Sequence, residues 1–368
     1  MKTIIDVSSV VYSGHNGRPN LRFQGFPIGG IYSLLRMIAA DLPRTDFVLC
    51  FDGGRILKKE LLPTYKAGRV PDYSVMAQID ALKEILTGCD IPYYHDPAYE
   101  ADDFVHSVCF ALDSVGDTDT IRIMSDDRDL ACNVRRDCSL NPVSTNGSCI
   151  DYKNFSDRVV RERSIPYNTI LLWKIFHGDA SDHYKGLRVP GLDFDGMADD
   201  FVEMLKPLIG PDGFSEMAYA DYDVFEAFLA EYSEKLSPED MEKMKAQARI
   251  VYPYRPDVFT TDRDSLLAEV GKGGSLHIAE RKHMKVFGTG NFDAQRFDFV
   301  VSMLGPRGGY KRRFRTYNED GAEGEELRQY FALKAKDLSN GTMAVEKYRS
   351  RKAVIPETAP LQNMELPI

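Results

Sequence analysis

The chain has 368 residues, 43% of them hydrophobic and 28% charged, with a formal net charge of −10. That length allows two or three domains with a real core, the balance is that of an ordinary soluble globular protein, and no apolar run approaches the roughly 18 residues needed to span a bilayer. Taken as an average, the acidity argues against a nucleic-acid partner, whose phosphates require a basic surface, although local distribution decides binding.

In chain order, the opening MKTIIDVSSVVYSG carries a lysine and then an aspartate inside its apolar run, and reads as a first strand rather than a signal peptide. PIGGIYSLLRMIAADL spaces Ile31, Leu34, Leu35 and Ile38 as a helix does, and DFVLCFD is a second buried strand. SVMAQIDALKEILTG is an amphipathic helix, with Met76, Ile79, Leu82, Ile85 and Leu86 on one stripe and Gly88 as its stop. IPYYHD reads as a short strand, EADDFVHSVCFALDSVG as a helix and TIRIMSDD as another strand. This alternation predicts an α/β fold with a parallel sheet covered on both faces.

Beyond it, IPYNTILLWKIFHG reads as a helix, and DASDHYKGLRVPGLDFDGMADDFVEML as a glycine-rich turn followed by another helix. Residues 212–250 read as acidic helices with a solvated face, ARIVYPYRP as a strand or extended segment, and FGTGNFDAQRFDFVVSMLG as a helix. Residues 307–315, RGGYKRRFR, carry five positive charges and no negative one. The tail from about 350 reads as extended or disordered. The six cysteines (50, 89, 109, 132, 138 and 149) form no C-x-x-C and several sit in apolar runs. Buried free thiols in a reducing cytoplasm are therefore expected. The seven histidines make no zinc-ligand pair.

The acids collect where a parallel sheet binds ligands, beyond the carboxyl ends of its strands. Asp6 ends the first strand, Asp52 follows FVLCF, Glu100, Asp102 and Asp103 open a helix, and Asp127 and Asp129 follow TIRIM; Asp179 and Asp182 lie in GDASD. Glu100, Asp102 or Asp103 could each be a helix cap or dipole partner, and Asp126 reads as a cap or surface acid. Nine converging carboxylates would raise each other's pKa at a cost in stability, which divalent cations relieve; oxygen ligands suit Mg²⁺ or Mn²⁺. Two such ions about 4 Å apart can activate water and stabilise a leaving oxygen in phosphodiester cleavage. In KKELLPTYKAGR, a helical continuation would put Lys66 and Arg69 on one face, able to hold a phosphate, with Tyr65 free to stack on a base; the bland alternative is a solvated basic helix. The glycines of GDASDHYKGLRVPGL allow backbone N–H groups to approach phosphate, with Lys185 and Arg188 adding charge. Between Asp127 and Asp129, an extended segment would turn Arg128 the other way.

The order of these pieces over about residues 3–205, an early Asp, then FD, YKAGR, YEADD, DRDL and GDASD…VPGL, resembles the 5′ nuclease family of flap endonucleases and 5′-to-3′ exonucleases, and is most similar to its shorter phage members of the ribonuclease H and 5′-exonuclease type. The resemblance implies a PIN-like nuclease domain with a helical arch (1–155), a helix–three-turn–helix duplex-binding region (156–255) and a mainly helical C-terminal region with an extended tail (256–368) whose role it does not explain. It implies two Mg²⁺ or Mn²⁺ ions. Asp6, Asp52, Glu100 and Asp102 would be at one; Asp127, Asp129 and Asp182 at the other; Asp103 and Asp179 would act through water or outside the first sphere. Lys66 and Arg69 would be the arch's basic pair, and Asp127 and these two the catalytic set. Tyr65, Lys66, Arg69, Lys185, Gly186, Arg188 and Gly191 would contact nucleic acid, and K⁺ would sit at the three-turn element. Substrates would be DNA with 5′ ends, flaps or nicks, or RNA–DNA hybrids. Partners would include a single-strand binding protein or sliding clamp; the resemblance further implies a monomer, no membrane, and a cytoplasmic location, the host's for a phage enzyme. The chain departs from the family at Lys58, where an arginine is common, at the two extra residues Leu187 and Arg188, and at Asp193 in place of a glycine. The alternatives are another PIN-like ribonuclease, which usually lacks the YKAGR and GDASD segments, and a catalytically weak DNA-binding protein, which would have lost acids that are all present here. A dehalogenase-type phosphatase needs D-x-D where this chain reads DVS.

Overall fold

The computed structural model describes residues 1–114, 119–134, 137–144, 147–151, 169–190, 192, 198–205, 208, 221–253, 285–306 and 319–340. In chain order the elements are β1 (Lys2–Asp6), α1 (Val7–Gly17), β2 (Arg22–Phe23), β3 (Phe26–Pro27), α2 (Gly29–Asp41), β4 (Asp46–Cys50), α3 (Ile56–Leu61), α4 (Tyr73–Gly88), α5 (Ala101–Ser114) and β5 (Ile121–Met124). A 3-10 turn (Arg128–Asn133), β6 (Cys138–Asn141), α6 (Ile170–His177), β7 (Gly178–Asp179), β8 (Tyr184–Lys185), α7 (Ala198–Leu205), α8 (Asp221–Glu231) and α9 (Pro238–Val251) follow, and β9 (Val286–Phe287), α10 (Ala294–Leu304) and α11 (Ala322–Ser339) close the series.

Five strands form one sheet in the order β6-β5-β1-β4-β9. The first four run parallel and β9 pairs antiparallel with β4, Phe47 opposite Phe287. Alternation along the strands sends neighbouring residues to opposite cores. Leu140, Ile123, Ile4 and Val48 form one row against α5 through α9, whereas Ile5 and Leu49 face α1, α2, α4, α10 and α11. This is the predicted α/β sheet with both faces covered.

Several local readings change. The apolar opening is not one strand: β1 stops at Asp6, whose side chain caps α1 by accepting the Ser9 N–H, and Val7, Val10 and Val11 then pack as a helical stripe. IPYYHD contributes a single bridge, Cys50 to Tyr94, rather than a strand. The segment at 248–251 ends α9 rather than forming a strand; Ser237 caps that helix, Pro238 starts it, and Met244, Ala248 and Val251 are its buried face. The acidic helices are solvated on one side only, since Val224, Phe225 and Phe228 of α8 are fully buried. The expected boundaries at 155 and 255, the basic stretch 307–315 and the tail from 350 lie outside the described residues. The described parts of the expected C-terminal region complete the core on the α1, α2 and α4 face: β9 joins the sheet, α10 packs on α2, and α11 packs on β3 and α4, with Phe331 between the rings of Phe23 and Phe26.

Among the described residues no helix is long and apolar enough to cross a membrane. All six cysteines are free, five are buried and Cys149 is exposed. Burial pushes the Cys89 thiol up to about 12, and holds Cys50 well above its ordinary value. A thiol reagent is therefore expected to label one cysteine per native chain, Cys149, and six after denaturation; fast native labelling of Cys50 or Cys89 would contradict this core.

Candidate metal centre

Strands β1, β4 and β5 are parallel neighbours, so their carboxyl ends share one edge. Asp6 ends β1, buried at 5% exposure. Its Oδ1 caps α1, and its Oδ2 accepts the Ser125 hydroxyl at 2.8 Å. Ser125 Oγ also accepts the Asp127 N–H at 3.0 Å, tying the end of β1 to the turn after β5. That turn winds at once into the 3-10 helix, capped by Asp127 through the Asp129 N–H. The segment is not extended, so the expected opposition of Arg128 does not apply. Asp126 is exposed and caps no helix; its Oδ1 accepts the N–H groups of Val143 and Ser144.

The second group of acids surrounds the start of α5. Asp52 accepts the Ala101 N–H at 2.9 Å, and Asp103 reaches back to the Glu100 N–H at 3.0 Å, in the manner of a capping box. Asp103, expected to act through water or outside the first sphere, is 1% exposed. Glu100, 3% exposed, lies in a cluster of cations: Lys58 at 2.9 Å, Lys66 at 2.8 Å and Arg55 at 3.2 Å.

Those cations come from the segment after β4. It is helical only over α3; residues 63–68 are turns and Lys66 sits at φ 50°, so the expected helical face of Lys66 and Arg69 does not form. The glycine at 68 accompanies this winding, with the His183 ring against its backbone. The segment instead folds onto the Asp179–Asp182 turn. The Lys66 N–H donates to the Asp182 carbonyl at 3.0 Å, and Arg69 Nη2 donates to Asp182 Oδ1 at 2.6 Å. Tyr65, expected to stack on a base, is 1% exposed; its hydroxyl donates to Glu100 at 3.0 Å and lies 3.3 Å from Asp182.

One pocket gathers most of the site: Asp102, Asp127, Asp129, Asp179 and Asp182 line it together with Lys58, Tyr65, Lys66, Arg69 and Lys174. Asp6 is near enough for its charge to act on Asp102. Burial, then the charge of Asp52, raises the Asp6 carboxyl to about 7. Burial and the charges of Asp127 and Asp6 hold Asp102 well above the usual range. Burial and Asp127 raise Asp129 to about 6 against the pull of Lys174. Asp179 goes the other way: burial opposes it, but bonds from Lys174 and Ser181 hold it at about 2.

Among the described residues no three potential ligands stand at the spacing of a ready-made cation cage. The ion pairs account for this, since lysines and arginines draw Glu100, Asp129, Asp179 and Asp182 toward themselves. The donor set is nevertheless all carboxylate oxygen, and the mutual repulsion of Asp6, Asp52, Asp102 and Asp127 is the condition that a hard divalent cation relieves. In chemistry and charge the residues fit such an ion.

The expected backbone contacts differ in kind. Lys185 and Arg188 are exposed. Gly186 has a packing reason: a Cβ there would come 1.9 Å from the Phe176 carbonyl oxygen. Gly178 takes φ 79° where α6 turns into β7. Gly191 and Asp193 lie outside the described residues. Two site residues escaped the sequence reading. Lys174 bridges Asp129 at 2.5 Å and Asp179 at 2.6 Å, and the signal was a lone cation inside the apolar run LLWKIF. Tyr184, 8% exposed, lies beside Asp129, Asp179 and Asp182, which with burial hold its phenol protonated.

Residues 1–160 match the model of the 5′-3′ exonuclease N-terminal, resolvase-like domain. The chain is 29% identical over 198 residues to a 5′-3′ exonuclease of Buchnera aphidicola subsp. Acyrthosiphon pisum, covering 51% of this chain and 66% of that protein. It is 29% identical over 198 residues to DNA polymerase I of Bacillus caldotenax, covering 51% of this chain and 22% of the polymerase. The chain thus spans just under two thirds of the exonuclease and less than a quarter of the polymerase. Among solved structures, T5 5′-exonuclease with bound zinc aligns at a TM-score of 0.43 and 15% identity, covering 68% of this chain and 98% of that one. The catalytic core of Rad2 with a DNA substrate aligns at 0.35 and 14%, covering 92% and 90%.

Proposed function

We propose, from the premise that residues 1–160 belong to the 5′-3′ exonuclease N-terminal, resolvase-like family, that the chain is a divalent-metal-dependent 5′ nuclease that hydrolyses phosphodiesters near 5′ ends. The observation that carries this reading is the single pocket in which five aspartates meet Lys58, Lys66, Arg69 and Lys174 at the carboxyl edge of the sheet.

Asp6, Asp52, Glu100 and Asp102 would hold one Mg²⁺ or Mn²⁺, and Asp127, Asp129 and Asp182 the other, with Asp179 acting through water. Bound there, such ions supply an activated water and neutralise the leaving oxygen. The chain's own groups do the rest. Lys66 and Arg69 enter the pocket from the segment after β4 and offer a phosphate an ammonium and a forked guanidinium. Lys58, 5% exposed, pairs with Glu100 at 2.9 Å and orients that carboxylate. The Tyr65 hydroxyl, between Glu100 and Asp182, fixes one ligand group relative to the other. Lys174 does the same for Asp129 and Asp179. Exposed Lys185 and Arg188 add phosphate contacts that carry no sequence information, so binding is salt-sensitive. Products are a 5′-phosphate and a 3′-hydroxyl. Flapped, nicked and RNA–DNA hybrid duplexes are the substrates to compare, and the same reading extends to a K⁺ ion at the three-turn element and to a clamp or single-strand binding protein as partner.

The test uses 5′-labelled duplexes of those three kinds. Cleavage is expected with Mg²⁺ or Mn²⁺, to cease in EDTA and to return when the ion is restored; cleavage that persists in EDTA would remove the metal from the mechanism.

A further inference from the structure

Within α5, the run FVHSVCF places His106 among Phe104, Val105 and Val108, all buried. A histidine costs stability in such a setting unless its ring nitrogens are bonded. His106 is 7% exposed, and its Nδ1 lies 2.8 Å from Oδ1 of Asn133, itself 4% exposed. The Asn133 amide nitrogen donates to the Leu130 carbonyl at 3.3 Å and approaches Cys132 Sγ at 3.4 Å. That arrangement turns Oδ1 toward the imidazole, which therefore carries its proton on Nδ1 and donates.

The two partners sit one helical turn or so behind the two groups of carboxylates. His106 follows Asp102 by four residues on α5; Asn133 ends the 3-10 turn that Asp127 caps and Asp129 opens. At its other end that turn is tied by Ser125 to Asp6 and by Asp126 to Val143 and Ser144. Apolar contacts alone would let α5 and the turn slide, because dispersion is non-directional; a buried hydrogen bond admits one register.

We propose that His106 and Asn133 are positioning residues whose hydrogen bond sets the spacing between the carboxylates on α5 and those on the 3-10 turn, and hence the affinity of the centre for its two ions. This rests on the two-ion reading above. The bond touches neither substrate nor metal, so its effect reaches the centre through the backbone of both elements.

The test compares the full-length wild-type chain with His106→Leu, His106→Gln and the double variant H106L/N133L. Gln can still donate to Asn133. The double variant removes both polar groups of this hydrogen bond, so neither is left facing an apolar replacement of the other even where His106→Leu alone folds poorly. Equilibrium Mn²⁺ binding is measured from free Mn²⁺ by electron paramagnetic resonance, and DNA cleavage is followed against Mg²⁺ concentration. Hydrogen bonds made directly to metal ligands are worth about 10–100-fold in affinity, and a bond acting one step further back is expected at the lower end of that range, about tenfold. The double variant is expected to show that rise in Mn²⁺ Kd and in half-saturating Mg²⁺, with kcat at saturating Mg²⁺ within about twofold of wild type, and His106→Gln to recover most of it. Unchanged Mn²⁺ affinity in a folded double variant would overturn the positioning role and leave the pair as packing, while the nuclease reading stands. A wild-type chain that binds neither ion would overturn both.

Discussion

Replacing Asp127 by alanine is expected to lower 5′-end cleavage about 10³-fold at saturating Mg²⁺, the equivalent of about 4 kcal/mol of transition-state stabilisation. Asp127 is exposed, lies in the pocket wall and has its charge felt by Asp6, Asp102 and Asp129. The side chain also caps the 3-10 turn, and loss of a cap costs about 1 kcal/mol. Asp127→Asn separates the two effects, since it keeps the accepting oxygen and removes the charge. Both variants are expected to be folded by circular dichroism and equally inactive; wild-type rates in Asp127→Asn would exclude this carboxylate from catalysis.

Removal of Glu100 is expected to damage the fold itself. The carboxylate accepts from Lys58, Lys66, Arg55 and the Tyr65 hydroxyl. Glu100→Ala strands the buried Lys58 ammonium, and breaking a buried pair from one side costs about 3–5 kcal/mol. Burial alone would raise the Glu100 pKa, but Lys58 and then Lys66 override it and hold the carboxyl well below its usual range. A group depressed on folding stabilises fully above its unfolded pKa, about 4.3 for glutamate, and that stability is lost as pH falls toward the folded value. Urea unfolding in EDTA is therefore expected to show wild type weakening between about pH 4.5 and pH 3, with a flatter profile for Glu100→Gln in the same window. The double variant E100A/K58M, which leaves no stranded charge, is expected to recover most of the loss at pH 7. Equal stability of Glu100→Ala and wild type at pH 7 would show that the cluster contributes nothing.

The parts of this fold that the sequence announces are those in which local pattern and tertiary role agree. Short apolar runs ended by Asp6, Asp52 and Asp127 give the strands, their direction and the edge on which the acids gather. The apolar stripe read in SVMAQIDALKEILTG marks the real helix α4, of which Leu82, Ile85 and Leu86 are buried while Met76 and Ile79 are only half-buried. Legibility fails where tertiary contact decides. The valines of α1 suit a strand as well as a helix, and only the Asp6 cap settles which. The turns at 63–68, with Lys66 at positive φ, are held by bonds to Asp182, more than a hundred residues away. Tyr65 reads as a stacking residue because nothing local reports its burial. Lys174, Tyr184 and His106 belong to no motif; each is one polar residue in an apolar stretch, a pattern that signals a buried partner without naming it.

The pairing of β9 with β4 has a consequence for how the chain is made. Residues 47 and 287 are neighbours in one sheet, yet the ribosome delivers them some 240 residues apart. At the ~5–20 residues per second of synthesis, β4 waits many seconds with an open edge, and α2 and α4 wait longer for α10 and α11. An unpaired edge beside an uncovered apolar face is a template for association with other chains. The nascent protein thus passes through an interval in which its acidic edge is already assembled while its opposite flank is still adhesive, and release from that interval comes only with α11.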